Sequence, residues 1–422
     1  VSKKAFFALL ALLCLCVPAI SQTQSDDVVR ITTNLVQIDA VVTKNGKPVK
    51  DLKAEDFEIF EDGRRQEIIS FAYISNVSDN AGTSAITETT GNDPNKPSDP
   101  TAPPPTPADT PRRRVAFVVD DYGLSQPSMA AVRRQLRKFI DQQLKPTDLI
   151  AILRTSRAGR EVLEFTNDKG RLIKAWEQLE WNQCSRVGVK AIRRVGDMST
   201  SGCGPGTGSY DDSISSMRAI VRALGQNPGR KSMVIFSDDT PLRDEEKFMR
   251  GGSVLQGDAD SRKEDAHTYS GRLRRLAELA IRSSVVIYGV DTGGVQTIGV
   301  TGADATPRPG VSGSEGNRLF VGQLLAQSKL ISMRQDGANM IAKETGGFLV
   351  HNQNEFQFDK ILEDQSGYYL IGYRPSTETF DKKFHKFRAR VKKSGHDVRT
   401  RSGFFGMSEE DAKRLKPTTG TK

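Results

Sequence analysis

Between Val28 and Ile74 apolar and polar residues alternate with the period of a β-strand. Val36, Ile38, Ala40 and Val42 fall on one side and Leu35, Gln37, Asp39 and Val41 on the other, and Lys44-Asn45-Gly46-Lys47 then supplies an Asn-Gly hairpin turn. A second turn, Glu61-Asp62-Gly63-Arg64, separates Phe57-Glu58-Ile59-Phe60 from Ile68-Ile69-Ser70-Phe71. The segment therefore reads as two hairpins, too few strands to be stable without a packing partner. Residues 78–112 lose all apolar periodicity and are rich in Pro, Ser and Thr, the composition of a disordered linker.

At Arg114 the pattern changes. Val115 to Val119 is a continuous apolar run suited to a strand buried on both faces. Val132, Leu136, Phe139 and Ile140 follow at helical spacing. Strands are then expected at Leu149–Leu153, Val162–Phe165, Ser232–Phe236, Val285–Val290 and Phe348–Val350. Helices are expected through Leu172–Leu179, Ile214–Leu224, Leu273–Ile281, around Met340 and Ile341, and from Phe358 to Leu362. Alternating βα units of this kind predict a doubly wound, mostly parallel α/β domain. Irregular insertions at about 182–212, 240–264 and 292–330 lie near strand ends, where open α/β sheets place their binding surface. From Gly367 the chain returns to β, with a strand at Tyr368–Tyr373. A second runs from Lys386 to Lys392, with Lys386, Arg388, Arg390 and Lys392 on one face and Phe387, Ala389 and Val391 on the other.

Length and composition fit this layout. The chain has 422 residues, enough for two or three domains, with 36% hydrophobic and 27% charged residues. Lys3 and Lys4 precede an apolar run from Ala5 to about Val17 and the small-residue sequence Ala19-Ile20-Ser21, the order of a secretory signal peptide cut near Ser21. Roughly 13 apolar residues fall short of the ~20 that a spanning helix needs. Removing the leader takes two lysines from a formal charge of +9, leaving about +7. Of the four cysteines it leaves Cys184 and Cys203, for which export makes a disulfide the default expectation. The expected division is a signal peptide at 1–21, an N-terminal β module at 22–77, the linker at 78–112, the α/β domain at 113–366, a C-terminal β segment at 367–407 and a tail at 408–422. Neither β piece has enough strands alone, so the two are expected to pack together as a sandwich with the α/β domain inserted between them. The mature protein is expected to be exported, to the periplasm, the cell surface or the medium, with no transmembrane segment.

Several motifs resemble the VWFA-related family first described from acidobacteria. The stretch "VVTKNGKPVKDLKAEDFEIFEDGRRQEI" is similar to that family's opening module and "NPGRKSMVIFSDD" to its central strand. "IAKETGGFLV", "YYLIGYRP" and "VRTRSGFFG" are similar to its C-terminal third. The resemblance implies a von Willebrand A-type fold, whose adhesion site ordinarily binds a divalent metal through Asp-x-Ser-x-Ser, a Thr and a later Asp. A hard cation suits such oxygen ligands and can accept a partner's carboxylate as well. In this chain Asp120 stands for the first Asp, but Tyr122 and Leu124 replace the serines. Shifting by one gives Asp121-x-Gly123-x-Ser125. Asp211 is nearest to the Thr position by spacing, with Thr207 or Ser213 as alternatives, and Asp238 in "IFSDD" matches the last Asp. The implied metal set is Asp120, Asp121, Ser125, Asp211 and Asp238, holding Mg²⁺, Mn²⁺ or Ca²⁺.

Other constellations carry less. The stretch from Gly202 to Gly208 lacks the Gly-Lys-Ser/Thr of a phosphate loop. None of the histidines, His267, His351, His385 and His396, has His-Glu-x-x-His spacing or a cysteine partner, so zinc chemistry is not expected. No Gly-x-Ser-x-Gly elbow occurs in the mature chain. The expectation is therefore a protein-interaction or adhesion module without catalytic residues. The alternatives are a metal-dependent hydrolase using the acidic cluster, or a scaffold with an inactive site. The basic C-terminal strand could contact an acidic polysaccharide or cell surface. Nucleic acid is not expected, because base-stacking motifs are absent.

Overall fold

A computed structural model describes residues 35–76, 87–88, 113–158, 163–182, 185, 210–227, 229–240, 269–294, 321, 325, 328, 332, 334–351, 358–375 and 381–406. The expected leader, Cys184 and Cys203, and most of the linker and of the three insertions lie outside these residues. The described chain is mixed α/β, with one parallel sheet and two curled antiparallel ones.

The first antiparallel sheet interleaves the two ends of the sequence. Strand β1 (Val36–Lys44) turns into β2 (Lys47–Pro48) through Asn45 and Gly46, both at positive φ as an Asn-Gly hairpin requires. Strand β12 (Gly367–Tyr373) lies between β1 and β5 (Ile68–Ser75), antiparallel to both, with Val36 opposite Tyr373 and Gly367 opposite Ser75. Strand β14 (Asp397–Arg399) covers the far edge of β1, and β6 (Thr87–Glu88), within the expected linker, covers β5.

The second antiparallel sheet runs β15 (Gly403–Phe405), β13 (Phe384–Val391), β3 (Phe57–Glu61), β4 (Arg64–Gln66). Here the sequence reading needs correction. The Asp62-Gly63 turn pairs Phe57–Glu61 with Arg64–Gln66, whereas Ile68–Phe71 leaves for the other sheet. The two sheets share one core that includes Ile38, Ile371 and Tyr369 from the first and Phe57, Ile59 and Phe387 from the second. Tyr369 anchors it: its hydroxyl accepts from Leu52 N at 3.1 Å and donates to Val49 O at 2.9 Å. Burial of this hydroxyl pushes its pKa up to about 12.

The parallel sheet has the order β11-β10-β9-β7-β8, formed by Arg114–Val119 (β7), Leu149–Arg154 (β8), Lys231–Ser237 (β9), Val285–Asp291 (β10) and Leu349–Val350 (β11). Of the strand expected at Val162–Phe165, the described residues 163–165 form no ladder, and the next residue, Thr166, makes one antiparallel bridge with Ile150. Alternate residues of each strand face opposite cores. Phe117, Phe236 and Tyr288 meet helices α1 (Gln126–Lys138) and α2 (Lys169–Glu177) through Met129, Val132, Leu136 and Leu172. Ala116, Met233 and Ile287 meet α3 (Tyr210–Gly225) and α4 (Tyr269–Arg282) through Met217, Val221, Leu273 and Leu276. Ile341, from helix α5 (334–345), joins the second core, and Ile361, from α6 (Phe358–Asp364), joins the first. Among the described residues no helix is long and apolar enough to cross a membrane.

The α/β layer and the antiparallel sheets meet along the segment after β14. Gly346, at φ +87°, has no room for a side chain, since a Cβ would lie 2.8 Å from Arg401 N and from the Thr400 carbonyl carbon. Ser402 N donates to Glu344 O at 2.9 Å, and Arg401 reaches Ile281 O at 3.3 Å and Gln37 O at 2.8 Å. Gly346→Ala should therefore cost about 2 kcal/mol or more, because strain at positive φ adds to a backbone collision. Chemical denaturation measures it, and a loss within experimental error would show that the seam adjusts.

Asp56 ties the start of β3 to the end of β13, accepting from Lys53 N at 2.9 Å and pairing with Lys393 at 3.0 Å. The Lys53 amide first and the Lys393 ammonium second hold its carboxyl below the ordinary aspartate range. The stabilisation is thus present above about pH 4 and lost as pH falls through the depressed folded value. Asp56→Asn should lower stability at neutral pH, with the gap to wild type closing in acid. A gap that does not vary with pH would contradict this account.

Candidate functional site

Parallel strands point all their carboxyl ends toward one edge of the sheet, and polar residues follow directly on four of them here. Asp120 and Asp121 follow β7, Thr155 and Ser156 follow β8, Ser237 ends β9 before Asp238, and Asp291 ends β10 before Thr292. The order of strands reverses at β7, where β8 lies on one side and β9 on the other. A crevice at such a point is the usual ligand position in open α/β sheets.

Asp120 is fully buried and surrounded by hydroxyls. Thr155 Oγ1 at 3.0 Å and Ser213 Oγ at 2.7 Å face its Oδ1, and Ser237 Oγ lies 2.9 Å from its Oδ2. Asp121 receives Ser156 N at 2.9 Å and the Ser156 hydroxyl, and Thr155 Oγ1 lies 2.9 Å away. Asp238 accepts Ser125 N at 2.9 Å and the Thr292 hydroxyl, while its own amide donates to Gly123 O at 3.2 Å. Hydrogen bonds thus compensate the desolvation of these carboxylates.

The residues expected from the sequence separate into two groups. Asp120, Asp121 and Asp238 sit at the strand ends within one hydrogen-bonded network. Ser125 joins it through its backbone amide, while its hydroxyl accepts from Ser128 N at 3.3 Å as the N-cap of α1. Asp211 is not brought in: its side chain is half exposed and pairs with Arg272 at 2.8 Å. Ser213, two residues further along α3, points inward to Asp120 instead. Thr207 lies outside the described residues. Leu124, at a position where a serine would be expected, is fully buried in the core beneath α1.

The sequence reading missed Thr155, Ser156, Ser237, Asp291 and Thr292. Their signal was the one used for Asp238, a polar residue directly behind a buried strand. Asp291 accepts from Gly293 N at 2.9 Å and Gln335 Nε2 at 2.6 Å. Burial is the largest influence on its carboxyl and raises its pKa, with nearby Asp238 adding to the rise. Beside it a cleft is lined by Asp238, Asp239, Thr240, Asp291 and Gln335.

This edge presents carboxylate and hydroxyl oxygens, the donor set of a hard divalent cation. No three carboxylates of the network bring ligand atoms together as closely as a cluster elsewhere in the molecule does, among the described residues. Hydroxyls of Ser213, Ser237 and Thr155 would have to complete a coordination shell around Asp120. No known protein-family model matches the chain, and no curated protein matches it either.

Asp120→Ala should destabilise the fold by about 2 kcal/mol, since it removes the buried acceptor that the Thr155, Ser213 and Ser237 hydroxyls share. Asp120→Asn keeps an acceptor and should cost much less. Equal losses in thermal or chemical denaturation would argue against the hydroxyl network.

Proposed function

We propose that the α/β layer is a von Willebrand A-type domain of the VWFA-related kind. It works as an exported interaction or adhesion module whose binding face is the carboxyl edge of the parallel sheet. The observation that carries this reading is the convergence of Asp120, Thr155, Ser213, Ser237 and Asp238 where the strand order reverses. The order β11-β10-β9-β7-β8, with helices on both faces, supports the doubly wound fold. The export step rests on the lysine-led apolar run at the N-terminus.

In this reading Asp120, Ser213, Ser237 and Asp238 frame a site for Mg²⁺, Mn²⁺ or Ca²⁺, and the ion takes a carboxylate from a protein partner. Asp121, held by Ser156, orders the loop after β8. The exposed cations on β13, Lys386 and Arg388, offer a second contact for an acidic polysaccharide or cell surface. Arg390 on the same face is engaged by Glu58 at 2.6 Å.

Calorimetric titration of the three ions into chelator-treated protein tests the site. Saturable binding is expected for at least one ion, weakened at least tenfold in Asp120→Asn and Asp238→Asn. Absence of heat with every ion would leave a metal-free scaffold. Hydrolytic turnover lost in the same variants would replace adhesion with catalysis.

A further inference from the structure

The antiparallel sheets hold a second cluster, remote in sequence and separate from the strand-end network. Asp62 occupies the tight turn between β3 and β4 at φ +46°, followed by Gly63 at φ +83°. Its amide donates to Lys386 O at 2.8 Å and its Oδ1 accepts from Lys386 N at 3.0 Å, which fixes the turn against β13. His385, buried on β13 and stacked on Phe404 at 5.2 Å, places Nδ1 at 2.9 Å from Asp62 Oδ2 and 3.8 Å from Glu61 Oε1. One ligand atom from each of Glu61, Asp62 and His385 lies within 4.8 Å of the others.

Glu61 is the part that hydrogen bonding leaves unexplained. It is 3% exposed, and its Oε2 makes no hydrogen bond of ordinary geometry, although the Tyr373 hydroxyl faces this carboxyl. The His385 ring stands off at 3.8 Å from its Oε1. A buried carboxylate oxygen left without a partner is costly. A cation between Glu61, Asp62 and Nδ1 would give this buried carboxylate a charged partner through the oxygen that faces His385.

We propose that Glu61, Asp62 and His385 bind one divalent transition-metal ion of the zinc class, with Asp381 as the positioning residue that orients the imidazole. Donor atoms around tetrahedral zinc lie roughly 3.3 Å apart, and the observed separations of 2.9 and 3.8 Å bracket that value. Imidazole with two carboxylates favours zinc or a similar ion over Mg²⁺ or Ca²⁺. His385 Nε2 lies 3.1 Å from Asp381 Oδ1, the outer carboxylate that metal-bound histidines commonly use to fix their tautomer. Asp62, with a half-exposed side chain, gives the ion a route from solvent.

The test is zinc titration of the chelator-treated full chain, read by bound stoichiometry and by the thermal midpoint, with Co²⁺ absorption as a report on ligand geometry. Wild type should take up one zinc that is lost in both Glu61→Gln and His385→Gln, with a matching loss of the zinc-induced rise in midpoint. Asp381→Asn should weaken binding roughly 10–100-fold while keeping the stoichiometry. Glu61→Gln keeps the size and the hydrogen-bonding shape of the side chain, and a metal-free thermal midpoint close to wild type would show that its loss of zinc is not unfolding. Zinc uptake unchanged by Glu61→Gln and His385→Gln, or abolished by Asp238→Asn instead, would overturn the assignment. So would the absence of uptake by wild type at millimolar zinc.

Discussion

The position of β12 constrains the rest of the structure. It is an inner strand, and both of its neighbours, β1 and β5, come from sequence more than 290 residues earlier. Neither end of the chain can complete its sheet without the other. The α/β layer must leave the sheet after β5 and return to it at β12. The register puts Gly367 opposite Ser75, and Asn76 closes the junction with its amide on Ser366 O and its side chain on Gln365 O, both at 2.9 Å. The return of the chain is thus fixed to within one strand spacing.

Arginines line the seam between the α/β layer and the antiparallel sheets. Arg230 lies over Tyr368 at 4.9 Å, Arg399 over Phe348 at 4.9 Å and Arg282 over Phe405 at 3.8 Å. Arg399 also pairs with Asp364, whose other oxygen accepts from Tyr288 OH at 2.6 Å. Guanidinium groups suit such a place because they stack on rings and hydrogen-bond at their edges at once. Burial of Arg399 and Arg401 lowers the pKa of both. The two sequence stretches "NPGRKSM" and "VRTRSGFFG" therefore meet in space, one carrying Arg230 and the other Arg399 and Arg401.

The parallel strands were legible because burial on both faces writes continuous apolar runs such as Val115–Val119, with few competing readings. Asp120 and Asp238 were legible because they directly follow such runs. Helical phase was the harder problem: residues two apart on α3 differ by about 200° in direction, so Ser213 faces Asp120 while Asp211 faces Arg272. The departure of Ile68 from the hairpin was hidden because Glu67 carries no turn signal, and the choice of sheet depends on β12 far along the chain. The Glu61–His385 cluster leaves no local trace at all. Glu61 and Asp62 lie more than 320 residues before His385, and only the pairing of β3 with β13 brings them together.

The Asn76 junction also governs how the molecule carries load. Tension applied between the two antiparallel segments falls on the β1–β12 and β5–β12 ladders. The α/β layer hangs from a point where its two ends are already tied together, so the pull bypasses it. Its strand-end oxygens would keep their arrangement until those ladders part. A protein stretched between two attachments would then yield first in the antiparallel sheets, with the inserted layer folded and its strand-end edge intact.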